Sequence, residues 1–94
     1  MQPLRVLSLN HRSTPVEVRE RMAVPASALP ETLAALADRP AVAEGLILST
    51  CNRVELWTVL RAGEGDRGEE ELRELLSERS GVPLATLDPC LVWH

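Results

Sequence analysis

The sequence has no lysine, tyrosine or phenylalanine, and among its 94 residues only Trp57 and Trp93 are aromatic. A core without Phe or Tyr has to be built from aliphatic side chains. No apolar run approaches the roughly 20 residues needed to cross a bilayer. The opening "MQPLRVLSLN" also lacks the basic region, long apolar stretch and small-residue site of a secretory signal. The expected location is therefore the cytoplasm, with no membrane partner. There the two cysteines, Cys51 and Cys90, are expected as free thiols. Two cysteines without clustered histidines do not make an ordinary zinc site, so no metal is expected.

What is present fits one small domain. Ninety-four residues with 45 % apolar content can form a single compact core of two layers. The net charge of -4 argues against a free-standing nucleic-acid binder. It leaves room for a module that touches only one end of an RNA. All ten cations are arginine. The run "CLVWH" closes the sequence in strand-like fashion without a turn, as expected of a fragment of a longer chain.

Residues 3–9, "PLRVLSL", alternate as a strand, with Leu4, Val6, Leu7 and Leu9 supplying apolar faces. Thr14-Pro15-Val16-Glu17 predicts a helix start, with Thr14 as cap, Pro15 in the first position and Glu17 closing a capping box. That helix ends near residues 22–24. A second helix is predicted over 27–37, with Leu29, Leu33 and Leu36 on one face. "EGLILST" and "VELWTVL" read as two strands around a turn. Residues 61–68, "RAGEGDRG", read as a Gly-rich mobile loop, and a third helix follows over about 69–80, ended by Gly81 and Pro83. A last strand starts at about Cys90. The charge run "EEELRELLSER" reads as a solvated helix face, and the Gly-x-Gly of "AGEGDRG" lacks the context of a phosphate loop.

The order β-αα-β-β-α-β predicts an α+β, ferredoxin-like split-βαβ fold: a four-stranded sheet, antiparallel or mixed, with helices on one face. A right-handed crossover makes strands one and two parallel, with strand three antiparallel between them. The end of strand one and the turn between strands two and three then share one rim. Asn10, His11, Thr50, Cys51, Asn52 and Arg53 are expected there together.

At that rim a thiol lies next to a guanidinium. A nearby cation populates the thiolate, and arginine's planar fork recognises carboxylates in bidentate fashion. Cys51 is thus a candidate nucleophile toward an acyl substrate that carries its own carboxylate, with Arg53 as anchor and His11 as a base or second cation. A plainer reading stands beside this one. Cys51 is then a small buried hydrophobe, Asn52 a turn former, Arg53 and Glu55 a surface ion pair, and His11 a partner for loop backbone. Cys90, inside "CLVW", is placed for burial.

Two stretches carry a resemblance. "LSLNHRSTPVEVRER" resembles the opening signature of glutamyl-tRNA reductases, and "EGLILSTCNRVEL" is similar to their active-site segment. The two occur in the family's order, and the resemblance covers the whole chain. It implies that residues 1–94 are the N-terminal catalytic, glutamate-recognising domain, without the NADPH-binding and dimerisation domains. The implied activity is the NADPH-dependent reduction of glutamyl-tRNA to glutamate-1-semialdehyde in tetrapyrrole (porphyrin) biosynthesis. Cys51 would be the nucleophile that forms a glutamyl thioester. Thr50, Asn52 and Arg53 would form the substrate pocket, with Asn10 and His11 at its rim. Implied partners are the acceptor end of glutamyl-tRNA, a downstream glutamate-1-semialdehyde aminotransferase and, for the parent chain, a second copy. NADPH would bind to a domain absent from this sequence, so the fragment is not expected to complete the reduction. His94 does not match the family's functional histidine, and no role is carried over to it. The alternatives are a non-catalytic binding or regulatory module of the same fold, and a thiol redox sensor.

Overall fold

The computed structural model describes residues 4–10, 12, 14–50 and 53–94. Four strands, β1 (Leu4–Leu9), β2 (Val42–Ser49), β3 (Val54–Leu60) and β4 (Leu91–Trp93), form one sheet in the order β2-β3-β1-β4. β3 is antiparallel to both β1 and β2, and β4 is antiparallel to β1. β1 and β2 therefore run parallel with β3 between them, as the element order predicts. The helices are α1 (Val16–Met22), α2 (Leu29–Ala37), α3 (Gly65–Ser80) and the single turn α4 (Leu84–Leu87). None is long and apolar enough to cross a membrane.

All four helices bury their apolar stripe on the same side of the sheet. Met22 of α1, Leu36 of α2, Leu72, Leu75 and Leu76 of α3 and Leu87 of α4 join Leu7, Val42, Val54, Leu56 and Leu60 in one cluster. The fully buried large side chains are aliphatic, apart from Thr58. Thr58 satisfies its hydroxyl by donating to the Arg5 carbonyl at 3.0 Å. Side chains alternate across a strand, so the opposite face carries Leu4, Leu46, Leu48 and Trp57, and all four are exposed. Val6 and Ser8 point to that side as well, through their pairing with Trp57 and Glu55.

Several local expectations need correction. Thr14 does not cap α1. Its hydroxyl donates to the Asn10 carbonyl at 2.6 Å, which closes the loop after β1. Pro15 takes the cap position, without a side-chain cap hydrogen bond, and the helix starts at Val16. The second helix starts at Leu29, because Ala26–Ala28 form a 3₁₀ turn ahead of it. Of its predicted stripe Leu36 is fully buried, while Leu29 and Leu33 are half-buried. β2 starts at Val42 and carries a bulge between Val42 and Glu44. Leu84–Leu87 and Asp88–Cys90, not foreseen as helical, form a turn of helix and a 3₁₀ turn before β4.

The largest correction concerns residues 61–68. Helix α3 starts inside this stretch, at Gly65, and Gly68 is buried in its second turn. A Cβ at Gly68 would lie 2.6 and 2.7 Å from the two δ-carbons of Leu60. Glycine is there to let α3 cross the end of β3 closely, and its signal looks like a loop only when read locally. The acidic run that follows is not wholly solvated either. Glu71 is buried, and its carboxylate accepts the Ala41 N–H at 3.1 Å and pairs with Arg67 at 3.3 Å. Gly81, at φ 74°, ends α3 in the left-handed conformation, as predicted.

Gly68→Ala tests the close crossing. Better helix propensity favours alanine by about 1 kcal/mol, but overpacking against the buried Leu60 costs about 1–3 kcal/mol. A net loss of about 1 kcal/mol is expected, read as a lower urea midpoint at unchanged slope. A midpoint that stays level or rises would show that the helix does not need glycine there.

Candidate functional site

The rim predicted from element order is present where β1 ends and the β2–β3 hairpin turns. Thr50 N donates to the Arg53 carbonyl at 2.7 Å and Arg53 N to the Thr50 carbonyl at 3.4 Å. This pair closes the hairpin beyond the last rung of the ladder, Ser49–Val54. Cys51 and Asn52, between them in sequence, and His11 lie outside the described residues. Next to the turn, the Ser49 hydroxyl accepts the Val24 N–H at 3.0 Å. This ties the segment after α1 to the end of β2.

Asn10 is held on three sides. Its N–H donates to the Cys90 carbonyl at 2.7 Å, and its carbonyl accepts both the N–H and the hydroxyl of Thr14. Its side-chain Oδ1 accepts the Arg12 N–H at 3.2 Å, so the carboxamide shapes the loop.

Asn10 and Arg53 line one cleft of about 270 Å³ together with Ser8, Leu9, Glu55, Val92 and His94. It opens on the helix-free face of the sheet. The structure thus brings together Asn10 and Arg53 from the predicted set. Thr50 contributes backbone pairing at the hairpin and is exposed. Ser8, Glu55 and His94 complete the polar lining. Ser8 Oγ and His94 Nε2 are 3.0 Å apart. Glu55 Oε1 accepts the indole N–H of Trp57 at 3.0 Å, and Oε2 lies 4.0 Å from Arg53 Nε. The Arg53 side chain is 64 % exposed, the Glu55 side chain only 15 %. Glu55 is therefore more than half of a solvated ion pair. Ser8 could have been found from the strand pattern: it is the polar member of the Leu4, Val6, Ser8 set and sits directly across from Glu55. His94 carries no such signal, because the pairing that puts it beside Ser8 spans the length of the chain.

A larger cavity, about 430 Å³, lies between α3 and β4 and is lined by Asp66, Glu69, Glu70, Arg73, Asp88, Leu91 and Trp93. Arg73, the cation among its described lining residues, is already engaged. Arg73 donates to both carboxylate oxygens of Asp88, at 2.8 and 2.7 Å, and these bonds push its pKa further above the ordinary value. That geometry braces α3 against the turn before β4. Cys90 is buried, with Sγ 3.7 Å from the Thr86 carbonyl, as its apolar sequence context implies. Among the described residues no group of three or more His, Cys, Asp or Glu side chains is placed to hold a metal ion.

Comparison with known proteins gives this chain relatives. The family described as glutamyl-tRNAGlu reductase, N-terminal domain, matches residues 7–94. The chain is 42 % identical over 88 residues to the glutamyl-tRNA reductase of Synechococcus sp. (strain WH7803), covering 94 % of this chain and 20 % of that protein. It is 42 % identical over 81 residues to that of Gloeothece citriformis (86 % of this chain, 18 % of the relative). For Trichormus variabilis the figures are 40 % over 84 residues, 89 % and 19 %. The chain thus spans about a fifth of the length of the curated relatives it matches.

The tie between Ser49 and Val24 is open to test. Ser49→Ala removes the acceptor of the Val24 N–H, with an expected loss of about 0.5–1.5 kcal/mol. Val24 amide exchange, followed by NMR, should accelerate correspondingly. Unchanged exchange at Val24 would mean that the hydroxyl does not hold the segment.

Proposed function

We propose that this chain, which belongs to the glutamyl-tRNAGlu reductase N-terminal domain family, is the part of such a reductase that captures the glutamyl group of glutamyl-tRNA as a thioester on Cys51. The observation that carries this reading is Arg53. It holds a guanidinium at the cleft, two residues after Cys51 in sequence, on a hairpin whose flanks are fixed by backbone pairing.

In the proposed step the Cys51 thiolate forms a bond to the ester carbonyl carbon, and the carbonyl π pair moves to oxygen. Collapse expels the ribose oxygen of the tRNA terminus, which takes up a proton. The glutamyl group remains as a thioester at unchanged oxidation level. Arg53 grips the side-chain carboxylate of the glutamyl group and fixes the reacting carbon, with Thr50 and Asn52 completing the pocket and Asn10 and His11 at its rim. The neighbouring positive charge also favours thiolate over thiol.

Reduction of the thioester to glutamate-1-semialdehyde belongs, on this reading, to hydride from NADPH held by another part of the parent enzyme. The described residues do not themselves fit a dinucleotide. Gly63, Gly65 and Gly68 have suggestive spacing between β3 and α3, but Gly68 is filled by Leu60. Glu64, Asp66, Glu69 and Glu70 crowd the same helix start, where a pyrophosphate would need positive potential. The proposed partners are the tRNA acceptor end, the aminotransferase that consumes the aldehyde, and a second copy of the parent chain. A redox-sensor role for Cys51 would need a resolving thiol, and Cys90 is buried.

Intact-mass spectrometry after incubation with glutamyl-tRNA, without NADPH, tests the reading. A hydroxylamine-labile glutamyl adduct is expected on the wild-type chain and none on Cys51→Ser. Arg53→Gln should slow adduct formation by about 10- to 100-fold, the worth of a charged hydrogen-bonded contact. An adduct that persists in Cys51→Ser would overturn the assignment of the nucleophile, and a Glu-tRNA rate untouched by Arg53→Gln would overturn the anchor.

A further inference from the structure

We infer that Glu55 is the specificity residue for the free α-ammonium of the aminoacyl ester, acting opposite Arg53 in the same cleft. This rests on the reading of the site as a glutamyl-ester pocket.

An aminoacyl ester, unlike a peptide, carries an uncapped amine, which is a cation at neutral pH. A pocket that selects glutamyl-tRNA therefore meets two charges of opposite sign on one small ligand. Among the described residues the cleft is lined by one guanidinium side chain, Arg53, and one carboxylate side chain, Glu55. Each of the other polar linings makes a hydrogen bond of its own. Asn10 Oδ1 accepts the Arg12 N–H, and Ser8 and His94 hydrogen-bond to each other. Glu55 differs from them. The Trp57 indole N–H holds Oε1 at 3.0 Å and so fixes the carboxylate's orientation. Among the described residues Oε2 has no hydrogen-bond partner, since its approach to Arg53 Nε, at 4.0 Å, is beyond hydrogen-bond length. With its side chain only 15 % exposed, Glu55 has lost most of its water, and Arg53 answers it only at the outer limit of ion-pair distance. A carboxylate in that condition is improved by a cationic donor arriving in the cleft. The ligand's own carboxylate does the same for Arg53. The 4.0 Å pair is thus set apart enough to be answered by the two ends of one amino-acid ester rather than by itself.

The test separates the two charges of the ligand. Thioester formation is timed by mass spectrometry with glutamyl-tRNA and with 2-hydroxyglutaryl-tRNA, in which a neutral hydroxyl replaces the ammonium at nearly equal size. The wild-type chain is expected to prefer the amino ester by about 10- to 100-fold. In Glu55→Gln that preference should shrink to within about threefold, while Glu55→Asp, which keeps the charge, restores a preference nearer wild type. Preference for glutamyl- over glutaminyl-tRNA, which reports Arg53, should survive in Glu55→Gln. An undiminished amino-over-hydroxy preference in Glu55→Gln would overturn the assignment and leave the thioester reading intact. If Glu55→Gln instead erases the glutamyl-over-glutaminyl preference, Glu55 serves only to orient Arg53, and the assignment fails. Absence of any adduct on the wild-type chain, with either ester, would sink the thioester reading and this inference with it.

Discussion

The antiparallel pairing of β1 with β3 is the constraint on which the site depends. Its register sets Leu7 opposite Leu56 on the helix side and Ser8 opposite Glu55 on the bare side. Because side chains alternate, a slip of one residue would send Leu7 to the bare face and Ser8 into the core. The apolar cluster beneath the sheet resists such a slip, since Leu7 and Leu56 are each only 1 % exposed. Core packing on one face therefore specifies polar geometry on the other. β4 then adds His94 from the far end of the chain, through backbone bonds between Val6 and His94.

Charge is distributed unevenly around this frame. Most ion pairs lie along α3: Arg67 with Glu71, Arg39 with Glu74 and Glu78, and Arg73 with Asp88. They fasten one helix to its neighbours, and the exposed ones contribute little individually. The Arg53–Glu55 pair is about as long as Arg5–Glu69 and Arg39–Glu74, but it lies at the cleft on a strand rather than along a helix.

Much of the architecture was legible in the sequence because it followed from order and alternation. The strand at residues 4–9, the hairpin strands, the end of α3 at Gly81 and the meeting of Asn10 with Arg53 all rest on patterns within a few residues, plus one rule of handedness. What was not legible depended on distant partners. Gly68 reads as loop until Leu60 is seen beneath it. Thr14 reads as a cap until the Asn10 carbonyl draws its hydroxyl away. Glu71 reads as solvated until the Ala41 amide needs an acceptor. Within the site, Asn10 and Arg53 were found from topology, whereas the lining by Ser8, Glu55 and His94 required the register of three strands.

The two tryptophans fall on opposite sides of the sheet, and this gives the chain a pair of separate optical reporters. Trp93 packs against the apolar cluster, so its emission follows the integrity of the fold. Trp57 lies on the bare face and donates its indole N–H to Glu55, so its emission reports on the surroundings of the cleft. With no tyrosine or phenylalanine in the chain, neither signal has an aromatic background. Replacing either tryptophan leaves a single-probe protein in which the core and the bare face of the sheet can be watched one at a time.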